Sequence, residues 1–145
     1  MKTLGFKRWG VGGALIGTLG LGGVGCSGMH EQTWTMSTTD KIPSAMGKVK
    51  VKAEKDGNTR VKVEVAHLAQ PASAFDATTY VVWLKPEAGR AQNVGVLNVN
   101  KKLEGSLETK TAFKDFSVIV TAEKDANVTA PSGQSVMDTK VVVPA

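Results

Sequence analysis

The chain has 145 residues, 41% hydrophobic and 21% charged, enough apolar material for one core and too little for two. Its formal charge of +5 is concentrated at the start. Lys2, Lys7 and Arg8 precede the first acid, Glu31, and without these three of the 18 basic side chains the rest of the chain sets 15 against 13 acidic ones. So balanced a remainder does not predict nucleic-acid binding, which needs a clustered basic face, and a single cysteine, Cys26, excludes an intramolecular disulfide.

Residues 1–8, MKTLGFKR, are a positively charged leader, and residues 9–25 carry no charge. Eight of these 17 residues are glycine. Each Gly costs a helix about 1 kcal/mol relative to Ala, and the stretch falls below the roughly 20 apolar residues a membrane span requires. The order of charged, apolar and small residues predicts a secretory signal over residues 1–25, removed on export. Gly23-Val24-Gly25-Cys26 resembles the bacterial lipobox, with Gly23 standing where an aliphatic residue is usual. The resemblance implies diacylglyceryl transfer to the Cys26 sulfur, cleavage between Gly25 and Cys26, and acylation (palmitate or a similar chain) of the new N-terminus. Two or three long chains hold a protein on a membrane where one does not. Ser27 in place of Asp implies, within the same resemblance, passage to the outer membrane in a Gram-negative cell.

Residues 27–46 are polar, rich in Ser and Thr, and show no sustained period. They are expected to form, with Cys26, a flexible linker, 20 residues reaching about 25 Å. Met29, His30, Met36 and Met46 are soft donors at irregular spacing, and no metal site is expected of them. Trp34 is expected to pack on the domain, to sit at a membrane interface or to stay in solvent.

Period-two alternation begins at residue 47. Val49, Val51 and Ala53 alternate with Lys48, Lys50, Lys52 and Glu54, and Val61, Val63 and Val65 with Arg60, Lys62 and Glu64. Asp56-Gly57-Asn58 lies between them, so residues 47–66 are predicted to be a β-hairpin. Five further strands follow, at 78–85, 93–99, 103–109, 117–123 and 136–143. Those at 78–85 and 117–123 are apolar on both faces, as central strands are. Loops are expected at 67–77, 86–92 and 124–135. The predicted core comprises Val49, Val51, Val61, Val63, Val65, Tyr80, Val82, Leu84, Val94, Val96, Leu107, Phe116, Val118, Val120 and Val141, with Trp83 on the opposite face. Seven strands and no helical period predict an all-β domain over 47–145, a single antiparallel Ig-like β-sandwich; a small closed barrel is the alternative.

Tyr80-Val81-Val82-Trp83-Leu84, Val94-Gly95-Val96-Leu97, Val120-Thr121-Ala122-Glu123 and Ala130-Pro131-Ser132-Gly133 together resemble the extracytoplasmic C-terminal domain of anti-sigma-K factors. The resemblance covers residues 79–143 and implies a β-sandwich. It does not imply inhibition of a sigma factor, because only eight residues precede the apolar segment and no sigma-binding module fits there.

No catalytic constellation is visible. His30 and His67 are far apart, Ser132 lies in turn chemistry with no helix after it, and Glu123 with Asp125 supply too few oxygens for calcium. No enzyme activity and no cofactor are expected. The long loop 124–135 is the candidate binding segment, through Asp125, Asn127, Thr129, Pro131 and Ser132, since sandwiches carry recognition on such loops. The expected function is a lipid-anchored envelope protein whose sandwich binds or scaffolds an envelope protein or glycan, facing the periplasm or the cell surface. An accessory sensor of extracytoplasmic stress is the alternative.

Overall fold

Alternating valines bury one face of each strand and leave lysines, arginines and glutamates on the other, and two such sheets close over a common core. The computed structural model describes residues 30–143. Its strands are β1 (Gln32–Thr35), β2 (Ser37–Thr38), β3 (Met46–Ala53), β4 (Thr59–Ala66), β5 (Thr79–Pro86), β6 (Gln92–Leu97), β7 (Gly105–Thr111), β8 (Asp115–Glu123) and β9 (Gln134–Val142), with one helical turn, α1 (Pro71–Ala74). They form a four-stranded antiparallel sheet, β1-β3-β4-β7, and a five-stranded one, β2-β9-β8-β5-β6. The domain is a β-sandwich.

The predicted hairpin is β3 and β4, paired from Met46↔Ala66 to Ala53↔Thr59. Gly57, at φ 88°, supplies the left-handed residue of its turn, and Asp56 Oδ1 accepts from the Asn58 amide at 3.0 Å. Val49, Val51, Val61, Val63 and Val65 are buried between the sheets with Tyr80, Val82, Leu84, Phe116, Val118, Val120 and Val141.

Three expectations change. Residues 32–46 are part of the sandwich rather than linker, and the domain starts near Gln32. Trp34 and Met36 fall on one face at period two. Trp34 packs against the core, and Met36, 4% exposed, sits where the chain passes from the first sheet to the second. β1 pairs with β3 and β2 with β9, while Ile42 and Ala45 enter the core. The burial of Met36 also separates it from Met46, which is 54% exposed. Residues 27–29 of the expected linker lie outside the described residues. The second change concerns β6. A bulge opposite Val82/Trp83 and Gly95 at φ 137° shift its facing, so Leu97 is fully buried while Val94 and Val96 are half-buried. The predicted strand at 103–109 begins two residues late, because Asn100 Oδ1 accepts from the Lys102 and Glu104 amides and Leu103, at φ 65°, is used up in that turn.

The loops sort to two ends. The β3–β4 turn, the β5–β6 turn and residues 112–114 lie at the end where β1 begins. Residues 67–78 and 98–104 lie at the other, some eight strand residues or about 26 Å away, and residues 124–133 leave and return there while their middle folds back over the second sheet to Asn93.

Candidate functional site

The end away from β1 carries the predicted binding loop, and its segments are fastened to one another. The Leu68 amide donates to the Leu103 carbonyl at 3.0 Å. Gln70 Nε2 donates to the Val99 and Asn100 carbonyls, and the Tyr80 hydroxyl to the Ala69 carbonyl at 2.6 Å. Burial pushes the Tyr80 phenol up to about 12, so it stays a donor at every physiological pH. Thr78 Oγ1 donates to the Lys124 carbonyl at 2.8 Å, fixing the start of the 124–133 segment. His67, at φ 57° and exposed, ends β4 as a surface residue.

That segment is a strap over the outer face of the second sheet. Val81 and Trp83 of β5 face away from the core, yet both are fully buried, as are Thr121 and Glu123 of β8. Asn93, opposite Trp83 in register, donates through Nδ2 to the Ala126 and Val128 carbonyls at 3.0 and 2.9 Å. Ser132 fastens the return. Its hydroxyl donates to Glu123 Oε1 at 2.7 Å and its amide to Oε2 at 3.2 Å. Gly133 permits this approach, since a Cβ there would overlap the Ala122 carbonyl.

Beneath the strap runs a relay of hydrogen bonds. Trp83 Nε1 donates to Thr121 Oγ1 at 2.8 Å, and Thr121 Oγ1 donates to Glu123 Oε2 at 2.5 Å. Burial alone pushes the Glu123 carboxyl up, but hydrogen bonds from Thr121, from Ser132 and from the Gly133 and Ser132 amides outweigh it and hold the group below its ordinary value. A carboxyl that stays ionised and is saturated by donors is an anchor and not a general acid, whose task needs a raised pKa.

The five loop residues expected to bind therefore divide. Ser132 turns its hydroxyl inward to Glu123. Asp125 Oδ1 accepts from the Asn127 amide at 2.9 Å, a local turn that leaves both side chains exposed. Pro131 is exposed beside Ser132. Asn127 and Thr129 line an open depression of about 770 Å³ against β6, with Arg90 and Val96 among its walls. Glu123 and Asp125 do not converge, the one buried and the other exposed, and among the described residues no three His, Cys, Asp or Glu side chains gather to hold a metal ion. Cys26 and Gly25 lie outside the described residues.

Sequence reading missed the relay, although its signal was present: alternation in β8 puts Thr121 and Glu123 on the face opposite Val120 and Ala122. The missing information was that a loop would cover that face. A second groove, about 700 Å³, is lined by Met46, Lys48, Glu64, Val99, Glu104 and Ser106, among others. The class these observations define is an antiparallel β-sandwich with a strapped outer face. No family model and no curated protein matches the chain.

Proposed function

We propose that the chain is a bacterial envelope lipoprotein, anchored through Cys26, whose non-enzymatic β-sandwich binds or scaffolds a protein or glycan of the envelope. One observation carries the reading. A lipobox-like Cys26 stands six residues before β1, and β1 begins at the end of the sandwich opposite the fastened loops. Loops 67–78 and 98–104 lie at that opposite end, so a chain tethered through its N-terminal side leaves them open to a partner. Side chains that would otherwise suggest chemistry have structural employment: Glu123 and Ser132 hold the strap, and Tyr80 holds the 67–78 loop. The experiment is expression in a bacterial host with labelled palmitate, comparing wild type with Cys26→Ala. Intact mass of the wild type is expected to show loss of residues 1–25 and gain of acyl chains, with neither change in the variant. A wild-type protein retaining Met1 and a free thiol removes the reading.

A second reading, an accessory sensor of extracytoplasmic stress, is supported by one further observation. Residues of three motifs that resemble anti-sigma-K factor domains, Trp83, Thr121, Glu123, Ser132 and Gly133, form a single hydrogen-bonded unit. The likeness thus lies in residues that act together physically. Deleting the gene is expected to shift the transcript levels of an envelope-stress regulon, and unchanged transcripts under envelope stress remove this alternative.

A further inference from the structure

We infer that the outer face of the four-stranded sheet, at the end where β1 begins, is a cationic surface that docks on anionic phospholipid headgroups; this rests on the lipoprotein reading above. The near-neutral sequence does not show this face, which the register assembles. Lys52, Arg60 and Lys110 stand directly beside one another across β3, β4 and β7, and the next outward-facing row sets Lys50 beside Lys62 and then Glu108. Lys48 extends the face in the row of Glu64 and Ser106. Six cations thus share the face with two acids. At its margin Glu54 and Asp56 pair with Arg60 and Lys110 at 3.0 and 3.5 Å, Glu64 is shared between Lys50 and Lys62, and Lys48 and Lys52 have no ion-pair partner among the described residues.

Like charges directly opposite one another destabilise a sheet. Four acids, Glu54, Asp56, Glu64 and Glu108, pair with four of the six cations, Glu108 with Arg60 at 3.7 Å, so the face keeps an excess of two positive charges, on Lys48 and Lys52, which an anionic surface would offset. The chain's own connectivity puts such a surface within reach. Gln32, the first residue of β1, pairs with Val51, the residue between Lys50 and Lys52. Six Cα-to-Cα steps separate Cys26 from Gln32, at most about 20 Å of extended chain. A lipid on Cys26 would thus keep the headgroup layer within chain reach of the cationic face, and polybasic surfaces gain from anionic lipid within a Debye length of roughly 8 Å at physiological salt.

The test uses the full, processed, lipid-carrying protein. With the Cys26 sulfur acylated, Thr33→Cys provides a single reactive thiol on the exposed outer edge of this face, and Ser73→Cys one at the far end. Each is labelled with a fluorophore and reconstituted into vesicles carrying a headgroup-attached quencher, of phosphatidylcholine alone or with about 30% phosphatidylglycerol. Quenching at position 33 is expected to rise roughly two-fold in the anionic vesicles and to return to the neutral level at about 0.5 M salt, while position 73 does not respond. K52E/K62E/K110E is expected to abolish the rise. Gln at the same three positions, which removes charge without adding repulsion, is expected to weaken it and keeps the test valid if the Glu variant fails to fold. Equal quenching in the two vesicles by protein that floats with both overturns the inference alone, as does a response to soluble dextran sulfate with none to vesicles. Protein that floats with neither and shows no acyl mass overturns the lipoprotein reading, and this inference with it.

Discussion

The Ser132 hydroxyl donates to Glu123 Oε1 at 2.7 Å, so a residue nine positions downstream closes the strap onto the strand from which it departs. Glu123 is 1% exposed, and every donor around it is neutral. The strap, the carboxylate and the Trp83–Thr121 pair beneath them form one polar unit on the outer face of an apolar strand, and such a unit is strong only while every member is satisfied.

Breaking the relay in the middle leaves a buried donor without a partner. Thr121→Val keeps the shape but gives Trp83 Nε1 no acceptor and removes one donor from Glu123. The expected loss is about 2 kcal/mol, within the range for an orphaned buried polar group. It is measured as a lower denaturant midpoint with an unchanged m-value, which marks a change in stability rather than in compactness. A midpoint within error of wild type would show that water satisfies both groups.

Acid sensitivity follows from the same carboxylate. Its pKa in the fold lies below the ordinary 4.5, so its contribution is fully present above that value and is lost as pH falls through the lower folded value. Glu123→Gln is expected to lower Tm at neutral pH and to flatten the decline of Tm below about pH 4.5. Glu64 and Glu87 are also held low, chiefly by hydrogen bonds from Lys50 and Lys140 respectively. Their share, being at the surface, shrinks in high salt while that of Glu123 persists. Identical acid limbs for wild type and Glu123→Gln in high salt would remove Glu123 from this account.

Two glycines separate steric overlap from backbone strain. Gly133→Ala drives a Cβ into the Ala122 carbonyl, and the strap must lift from Glu123. A loss of about 2–4 kcal/mol is expected, with Trp83 fluorescence shifted to longer wavelength as its cover opens. Gly57→Ala meets nothing within 4 Å and bears only the strain of φ 88°, so about 1 kcal/mol is expected with no change in fluorescence. If the two variants lose equal stability and emit alike, the strap is not held as described.

Membership of the N-terminal segment in the domain is tested at two methionines. Met36→Ala deletes a buried side chain between the sheets and is expected to cost about 2–5 kcal/mol. Met46→Ala alters a side chain 54% exposed and is expected to stay within about 0.5 kcal/mol of wild type. Chemical denaturation of both variants decides the matter, and a silent Met36→Ala would return residues 32–46 to the linker.

Seven of the nine strands are legible in the sequence, because valine alternating with charge has a period that no helix shares and needs no partner to be recognised. The same alternation identifies most of the core, from Val49 to Val141, and the second face of Trp83. The short strands β1 and β2 escape such reading. Four and two residues are too few to display a period, and what makes them strands is the pairing of Gln32–Thr35 with β3 and of Ser37–Thr38 with β9.

The chain's own order of residues determines the all-strand class, since period-two alternation depends on local pattern alone. Tertiary structure alone decides which outward faces meet water. One is closed by a strap that turns Ser132 inward to Glu123, and the other gathers Lys52, Arg60 and Lys110 into a single row. The reason is register: hydrogen bonding between strands sets side by side residues that lie 8 to 50 positions apart, and no local pattern records which neighbour each will have.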